Sequence, residues 1–224
     1  MLCLSLPLGA ATTWTGGVLL DQAGADQLAA WLGEGDLVLT NVFSSGPVAN
    51  GSTAFHAASD NLGRTFVLIE TDLGLVGGYD PQSWGGFYNI TIPDAERTAF
   101  IFNLSTAVKE AQVLGPSNSN AGQYQTVNGN AYGPVFGLGY DLGVADGSLT
   151  SGDALTYSYG AGYNTPNIFG VAFTRTQFSV VRIETYTISD VATPEPATFG
   201  LCGLALAIGA ALTRKRSKQQ AMPK

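Results

Sequence analysis

The side chains that most often carry catalysis are scarce in this sequence. His56 is the only histidine among the 224 residues, so a Ser-His-Asp triad would have to use it. No Gly-x-Ser-x-Gly segment, the usual setting of a hydrolase serine, occurs in the chain. A lone histidine beside Phe55, at the expected start of a strand, favours a structural role. A single histidine also excludes a histidine-rich metal site.

Acidic residues leave two kinds of chemistry open. Asp141, Asp146 and Asp153 lie in a glycine-rich stretch whose oxygen ligands could hold a calcium ion. Their spacing differs from that of an EF-hand loop, so ordinary turn residues are the preferred interpretation and calcium is a weaker candidate cofactor. Paired carboxylates could also hydrolyse glycosidic bonds, but the sequence singles out no pair.

Neither cysteines nor glycine-rich loops indicate a further site. Cys3 and Cys202 both lie in apolar terminal segments, which excludes a cysteine-ligated zinc site or a cysteine nucleophile in the body of the chain. Gly33-x-Gly35 and Gly137-x-Gly139 lack the further glycine of a phosphate-binding loop. The aromatic residues around Gly85-Gly86 could stack on a sugar, although core packing is favoured for Trp84; they are Trp84, Phe87 and Tyr88.

Apolar patterning predicts the elements that would position these side chains. A helix beginning at Asp21 carries Leu20, Leu28, Trp31 and Leu32 on one face and ends at Gly33 or Gly35. Residues 44–52 and 115–133 are rich in turn-forming and polar residues and are expected to be loops. Short apolar runs predict the strands Leu37–Phe43, Thr65–Glu70, Leu75–Tyr79, Ala99–Leu104, Val135–Leu142 and Gln177–Ile188.

Two of these strands have further features. Asp72-Leu73-Gly74 predicts a turn that joins Thr65–Glu70 to Leu75–Tyr79 as a hairpin. In the last strand Phe178 and Val180 share one face, whereas Val181 and Ile183 lie on the other, a phase slip that indicates a β-bulge. The expected fold is mainly β (α+β), a two-sheet antiparallel β-sandwich with flanking helices.

The charge of the chain is divided sharply between its body and its C-terminal end. Residues 1–193 carry five basic and sixteen acidic side chains, a net charge of −11, while the remaining five basic residues all follow residue 213. So acidic a body excludes binding to nucleic-acid phosphates, which needs clustered lysine and arginine.

The C-terminal end combines three features in order. Residues 189–196 form a linker that contains Pro194-Glu195-Pro196, and residues 197–213 are an uncharged apolar segment of nearly membrane-spanning length. Residues 214–224 are a basic tail, starting with Arg214-Lys215-Arg216, as expected on the cytoplasmic side of a membrane. A plain membrane anchor is the alternative interpretation.

This ordered arrangement resembles the PEP-CTERM sorting signal of bacteria that produce exopolysaccharide. The resemblance implies that an exosortase-type membrane protease recognises and cuts near Pro194–Pro196 after transient insertion in the inner membrane. The body would then reach the cell surface or extracellular matrix. Residues 1–11 fit this expectation as a residual signal peptide that lacks its positive n-region, with small residues for cleavage near Ala10 or Ala11.

The order of segments across residues 17–188 resembles the TLDc domain. The resemblance depends on a series of signature residues: Phe55, His56, Gly77, Gly78, Tyr79, Trp84, Phe100, Phe102, Gly137, Gly139, Asp141 and Glu184. The sequence departs from the family pattern at Val76, at Thr185-Tyr186 and in the glycine run before Leu138.

The TLDc resemblance implies a two-sheet β-sandwich with flanking helices and supplies no catalytic residues. We therefore expect an exported, non-enzymatic binding or structural module, with exopolysaccharide as a candidate partner. The alternative is an extracellular enzyme or stress-protection protein that uses acidic residues on polysaccharide or oxidant substrates. A calcium-stabilised module is a third expectation.

Overall fold

The structure is a computed structural model that describes residues 11–46, 51–86, 89–115, 122–163 and 165–190. Two helices are present in these ranges, α1 (Gln22–Leu32) and α2 (Gly51–Ser59). The strands are β1 (Thr13–Thr15), β2 (Leu37–Ser44), β3 (Thr65–Thr71), β4 (Gly74–Asp80), β5 (Asn89–Thr91), β6 (Phe100–Asn103), β7 (Val108–Ala111), β8 (Tyr124–Val127), β9 (Val135–Phe136), β10 (Leu142–Gly143), β11 (Ser151–Ala154) and β12 (Thr176–Asp190).

Hydrogen bonds join ten of the strands in one series, β5-β8-β9-β10-β11-β12-β3-β4-β6-β7. β2 also pairs with β12, and β1 pairs with β2. Of the ladders between described strands, only β1–β2 is parallel. The expected mainly-β fold with a large antiparallel sheet and accompanying helices is therefore confirmed.

Strand β3 lies between two hydrophobic clusters. Val67 and Ile69 pack into one cluster, whereas Phe66 and Leu68 pack into the other, and all four side chains are fully buried. Successive side chains of a strand point to opposite faces, so a strand buried on both faces needs a continuous apolar run. The predicted strand and its hairpin with β4 are confirmed, with Thr71 paired to Gly74 at the turn.

Strand β12 connects the two parts of the sheet and contains the predicted bulge. Its register against β3 shifts between Val180 and Arg182. The side chain of Val181 is 60% exposed, and Ile183 rejoins Phe178 in the same hydrophobic cluster. The prediction that Ile183 shares a face with Val181 was wrong, because the extra residue of a bulge restores the original phase.

Helix α1 agrees with its sequence pattern. The side chain of Asp21 accepts a hydrogen bond from the Gly24 amide at 2.8 Å and caps the N-terminus. Gly33 adopts a left-handed conformation, φ 78°, and its amide donates to the Ala29 carbonyl. The apolar face of the helix packs against the cluster that contains Phe66 and Leu68.

Helix α2 and strand β8 correct two loop predictions. Residues 51 and 52 belong to α2, and His56 therefore lies on a helix instead of at a strand start. The buried residues of α2 are spaced three or four apart, Ser52, Phe55, His56 and Ser59, but only one is apolar, so the helical period is weak in the sequence. Similarly, β8 lies within the predicted loop 115–133, where the buried side chain of Gln125 donates a hydrogen bond to Asp80.

The predicted strand Val135–Leu142 is a pair of short strands. β9 and β10 pair with each other, with Phe136 opposite Leu142 and a turn between them. Within the described ranges, no helix is long and apolar enough to span a membrane. The expected signal residues up to 10, the linker residues beyond Asp190, the segment 197–213 and the basic tail lie outside those ranges.

Candidate functional site

The aromatic signature residues are buried in the two hydrophobic clusters. The ring of Phe55 meets Trp84 edge-on at 5.3 Å between centroids. Tyr79, Phe100 and Phe102 pack in the other cluster, with Tyr79 and Phe100 5.2 Å apart. Such contacts stabilise a core and present no aromatic face to a ligand.

Trp84 illustrates this role. Its side chain is fully buried, and its indole Nε1 donates a hydrogen bond to Thr65 Oγ1 at 2.9 Å. The sugar-stacking interpretation is therefore wrong for Trp84, and core packing is confirmed. Phe87 and Tyr88 lie outside the described residues.

His56 has both ring nitrogens engaged with the protein. Nδ1 lies 2.7 Å from Asp60 Oδ1, and Nε2 lies 3.1 Å from the Tyr132 carbonyl oxygen. Each ring nitrogen thus lies within hydrogen-bond distance of an oxygen atom of the protein. A histidine held in this way is 4% exposed and has no free nitrogen for a serine, which supports the structural interpretation.

The paired glycines of β4 allow close packing. A Cβ atom on Gly78 would lie 2.5 Å from the ring of Phe136, and one on Gly77 would meet the Val67 carbonyl and the Phe102 ring. Gly77 and Gly78 thus let aromatic rings lie directly against the backbone of β4.

Asp141 is a buried acceptor in the turn between β9 and β10. Its Oδ1 accepts hydrogen bonds from the amides of Tyr157, Ser158 and Tyr159 at 2.6–3.0 Å. Burial nevertheless raises the pKa of Asp141 to about 8, with these bonds acting in the opposite direction. Gly137 has a left-handed φ of 79°, and a Cβ there would collide with Asp141 Oδ2.

Glu184 connects the two ends of the described chain. Its carboxylate accepts hydrogen bonds from the amides of Val18 and Leu19 at 2.7 and 3.0 Å. The Tyr186 hydroxyl donates to the same carboxylate at 2.6 Å. Glu184 is fully buried, so this signature residue fastens the N-terminal segment to β12.

The three weak calcium candidates engage different partners. Asp141 binds backbone amides, Asp146 accepts from Ser148 and Thr150, and Asp153 pairs with Arg175 at 3.1 Å. Among the residues that the structure describes, no group of three or more histidine, cysteine or acidic side chains is arranged to hold a metal ion.

The sequence analysis missed a cleft of about 530 Å³ on the outer face of β11 and β12. Ser151 pairs with Ser179 and Asp153 pairs with Gln177 across the two strands. Because successive side chains of a strand point to opposite faces, Ala154 points into the core and the polar side chains point towards the cleft. The residues that line it are Asp72, Ala145, Asp146, Ser151, Gly152, Asp153, Gln177, Phe178 and Ser179.

Each carboxylate of this acidic cleft has a partner in the protein. Asp72 accepts a hydrogen bond from the Ser179 amide at 2.8 Å. Asp146 accepts from Ser148 and Thr150, and these bonds lower its pKa even though partial burial acts in the opposite direction. The cleft carboxylates are therefore arranged as hydrogen-bond acceptors.

Three tyrosines adjoin the cleft at its Asp153 end. The Arg175 guanidinium lies 5.8 Å from the centroid of the Tyr140 ring and also pairs with Asp153. A second arginine nitrogen is 3.4 Å from the Gly139 carbonyl oxygen. The ring of Tyr157 lies next to Gly139 and stacks on Tyr163 at 4.7 Å between centroids. We call Tyr140, Tyr157 and Tyr163 the tyrosine cluster.

Like Asp141, the other carboxyl groups with strongly raised pKa values are not among the cleft-lining residues. Burial raises the pKa of Asp80 and of Glu110 to about 7. Asp80 is fully buried and accepts a hydrogen bond from Gln125 at 2.7 Å. General acid catalysis uses a carboxyl of raised pKa within reach of the substrate. Of the described carboxyl groups with raised pKa values, none lines the cleft, where a general acid would have to lie.

No protein-family model matches the chain, and no curated protein matches it.

Proposed function

We propose that this chain is an exported bacterial protein that reaches the cell surface or extracellular matrix. Its body acts there as a non-enzymatic binding or structural module. The observation that carries the proposal is the ordered C-terminal arrangement of Pro194-Glu195-Pro196, the apolar segment 197–213 and the basic tail 214–224. An exosortase-type protease of the inner membrane would recognise this arrangement and release the body.

The proposal assigns the body to a TLDc-like, two-sheet β-sandwich with flanking helices. Support comes from the two hydrophobic clusters on either side of β3 and from the long strand β12, which pairs with β2, β3 and β11. Several signature residues are buried and have hydrogen-bond partners within the protein, which favours a stabilising role for them in this domain. Among them are His56, Asp141 and Glu184.

The arrangement of the carboxyl groups favours a binding role over the role of an extracellular enzyme or a stress-protection protein. The cleft offers accepting carboxylates and hydroxyl groups, whereas Asp80 and Asp141 are buried away from solvent. The net charge of −11 over residues 1–193 also opposes nucleic acids as partners. An exopolysaccharide is consistent with both features.

Mass spectrometry of the protein from native cells and from their matrix tests the proposal. We expect a matrix form whose C-terminus lies near Pro194–Pro196 and whose N-terminus lies near Ala10 or Ala11. Replacement of Pro194-Glu195-Pro196 by three alanines should leave the full-length chain in the membrane, whereas the neighbouring Thr193→Ala should be processed normally. Full-length wild-type protein retained in the inner membrane would contradict the proposal.

A further inference from the structure

We infer that the acidic cleft and the tyrosine cluster form one binding surface for an uncharged oligosaccharide chain. This inference rests on the proposed function, because it names the ligand class of the binding module. It assigns stacking to the tyrosines and hydrogen bonding to the cleft.

The two parts of the surface are joined through Asp153. This residue lines the cleft and pairs with Arg175, whose guanidinium lies over the Tyr140 ring. Arg175 also reaches the Gly139 carbonyl, and Gly139 contacts the ring of Tyr157. This series of contacts links the cleft to the tyrosines, and we expect a chain-like ligand to follow it from one to the other.

The tyrosine cluster offers an aromatic surface of the kind that sugar rings contact. Tyr163 is 46% exposed, and its ring packs against the Tyr157 ring in a tilted arrangement with an interplanar angle of 35°. The carbon–hydrogen face of a pyranose is apolar and slightly positive, so it is attracted to the electron-rich face of an aromatic ring. Tyrosine supplies such contact area with little loss of side-chain entropy.

The cleft offers the complementary polar groups. The exposed side chain of Gln177 and the hydroxyl of Ser179 have no hydrogen-bond partner among the described residues, and both face the cleft. Asp72 uses one carboxylate oxygen for the Ser179 amide, which leaves the other to accept from a ligand. Sugar hydroxyl groups both donate and accept, so they match this mixture of carboxylate, amide and hydroxyl groups.

Charge favours a neutral ligand over an anionic one. Three carboxylates border the cleft. The neighbouring cation, Arg175, is already paired with one of them, Asp153. A polyanion would be repelled by this surface and by the acidic body. Asp146 and Asp153 already have donors within the protein, and a hydroxyl group needs only a single available lone pair from the cleft.

Affinity gel electrophoresis of the full-length protein tests the inference. The protein is held in a polyoxyethylene detergent, because that detergent contains no sugar. The gels contain dextran, hydroxyethyl cellulose or galactomannan as neutral polymers, alginate as an anionic polymer, or polylysine as a cationic polymer. We expect at least one neutral polymer to retard the protein and alginate to leave its mobility unchanged.

Variants assign the retardation to this surface. Tyr163→Ala should weaken binding roughly five- to tenfold, as loss of one aromatic stacking contact predicts. Tyr163→Phe should retain most of the binding, because it keeps the ring. Asp72→Asn tests the cleft separately and should also weaken binding. Val18→Ala, at an exposed apolar residue beside Glu184, is the matched control and should bind like the wild type.

Several outcomes would overturn the inference. These are no retardation by any neutral polymer, wild-type binding by Tyr163→Ala, or retardation by polylysine alone that disappears with salt. Unchanged thermal unfolding of each variant shows that a loss of binding is not a loss of folding. If the protein is exported and processed correctly but binds no glycan, only this inference is rejected. If it binds a glycan but is retained in the membrane, only the proposed sorting is rejected.

Discussion

Buried polar residues join distant segments of this protein through hydrogen bonds. His56, Asp141 and Glu184 each hold two segments together through hydrogen bonds to groups that have little or no access to water. An unsatisfied buried donor costs more free energy than a formed hydrogen bond contributes. These three residues therefore determine local geometry, although the sequence alone offers His56 as a catalytic candidate and Asp141 as a calcium ligand.

Glu184→Gln should destabilise the protein. The substitution replaces one accepting oxygen by a donating amide, so an amide of Val18 or Leu19, or the Tyr186 hydroxyl, loses its acceptor. We expect a loss of about 1–3 kcal/mol in the free energy of unfolding, measured by urea denaturation. Glu70→Gln in β3, whose side chain is partly exposed, is the matched control and should change the stability little. Equal stability of both variants would contradict the role assigned to Glu184.

At the scale of secondary structure, close contact between strands depends on residues without side chains. β4 carries Gly77 and Gly78 between β3 and β6, where Phe102 and Phe136 lie directly against its backbone. The bulge at Val181 has a comparable effect in β12, because one extra residue keeps Phe178 and Ile183 on the same side. Both features adapt a regular strand to the packing of its neighbours.

Gly78→Ala should destabilise the fold by overpacking. Its new methyl group would lie 2.5 Å from the Phe136 ring, which is fully buried and cannot move freely. We expect a loss of about 1–3 kcal/mol in the free energy of unfolding.

Gly147→Ala is the matched control for Gly78→Ala. Its nearest neighbour would be the Ala131 carbonyl oxygen at 3.5 Å, an ordinary contact, so little change is expected. Combining Gly78→Ala with Phe136→Leu should cost less than the two single losses added together, because the smaller side chain leaves room for the methyl group. Strict additivity in the double variant would show that the ring is not the source of the strain.

For the molecule as a whole, buried acids make stability depend on pH. The pKa of Asp80 is raised from 3.8 to about 7 and that of Asp141 from 3.8 to about 8 by burial. Each of these carboxyl groups binds a proton more tightly in the folded state than in the unfolded state. The resulting stabilisation of the folded state is complete below pH 4 and is lost as the pH rises through the raised pKa. Asp146, whose pKa is lowered, has the opposite effect and loses its contribution in acid.

The free energy of unfolding should therefore be lower at pH 9 than at pH 6, by an amount on the order of a few kcal/mol. Urea denaturation at the two pH values measures the difference. Asp141→Asn should reduce it, because the amide does not ionise. Asp26→Asn, at an exposed residue of α1, should leave it unchanged. A wild-type stability that rises from pH 6 to pH 9 would show that these carboxyl groups are not buried as described.

The sequence by itself determined the features that depend on local pattern. Apolar runs predicted β3 and its hairpin, a phase slip predicted the bulge in β12, and Asp21 with Gly33 predicted both ends of α1. These features follow from side-chain periodicity and from backbone groups that are satisfied by nearby residues. The charge asymmetry and the expected sorting signal likewise depend on composition and order alone.

Only the tertiary structure decided which polar residues are buried and which are exposed together. Gln125 lies in a stretch that the sequence predicts to be a loop, but its side chain donates a hydrogen bond to Asp80, 45 positions away. The cleft brings Asp72 beside Ser179, and the tyrosine cluster is joined to it through Asp153 and Arg175. The pairing register of distant strands brings such residues together. A local pattern of polar residues does not predict that register.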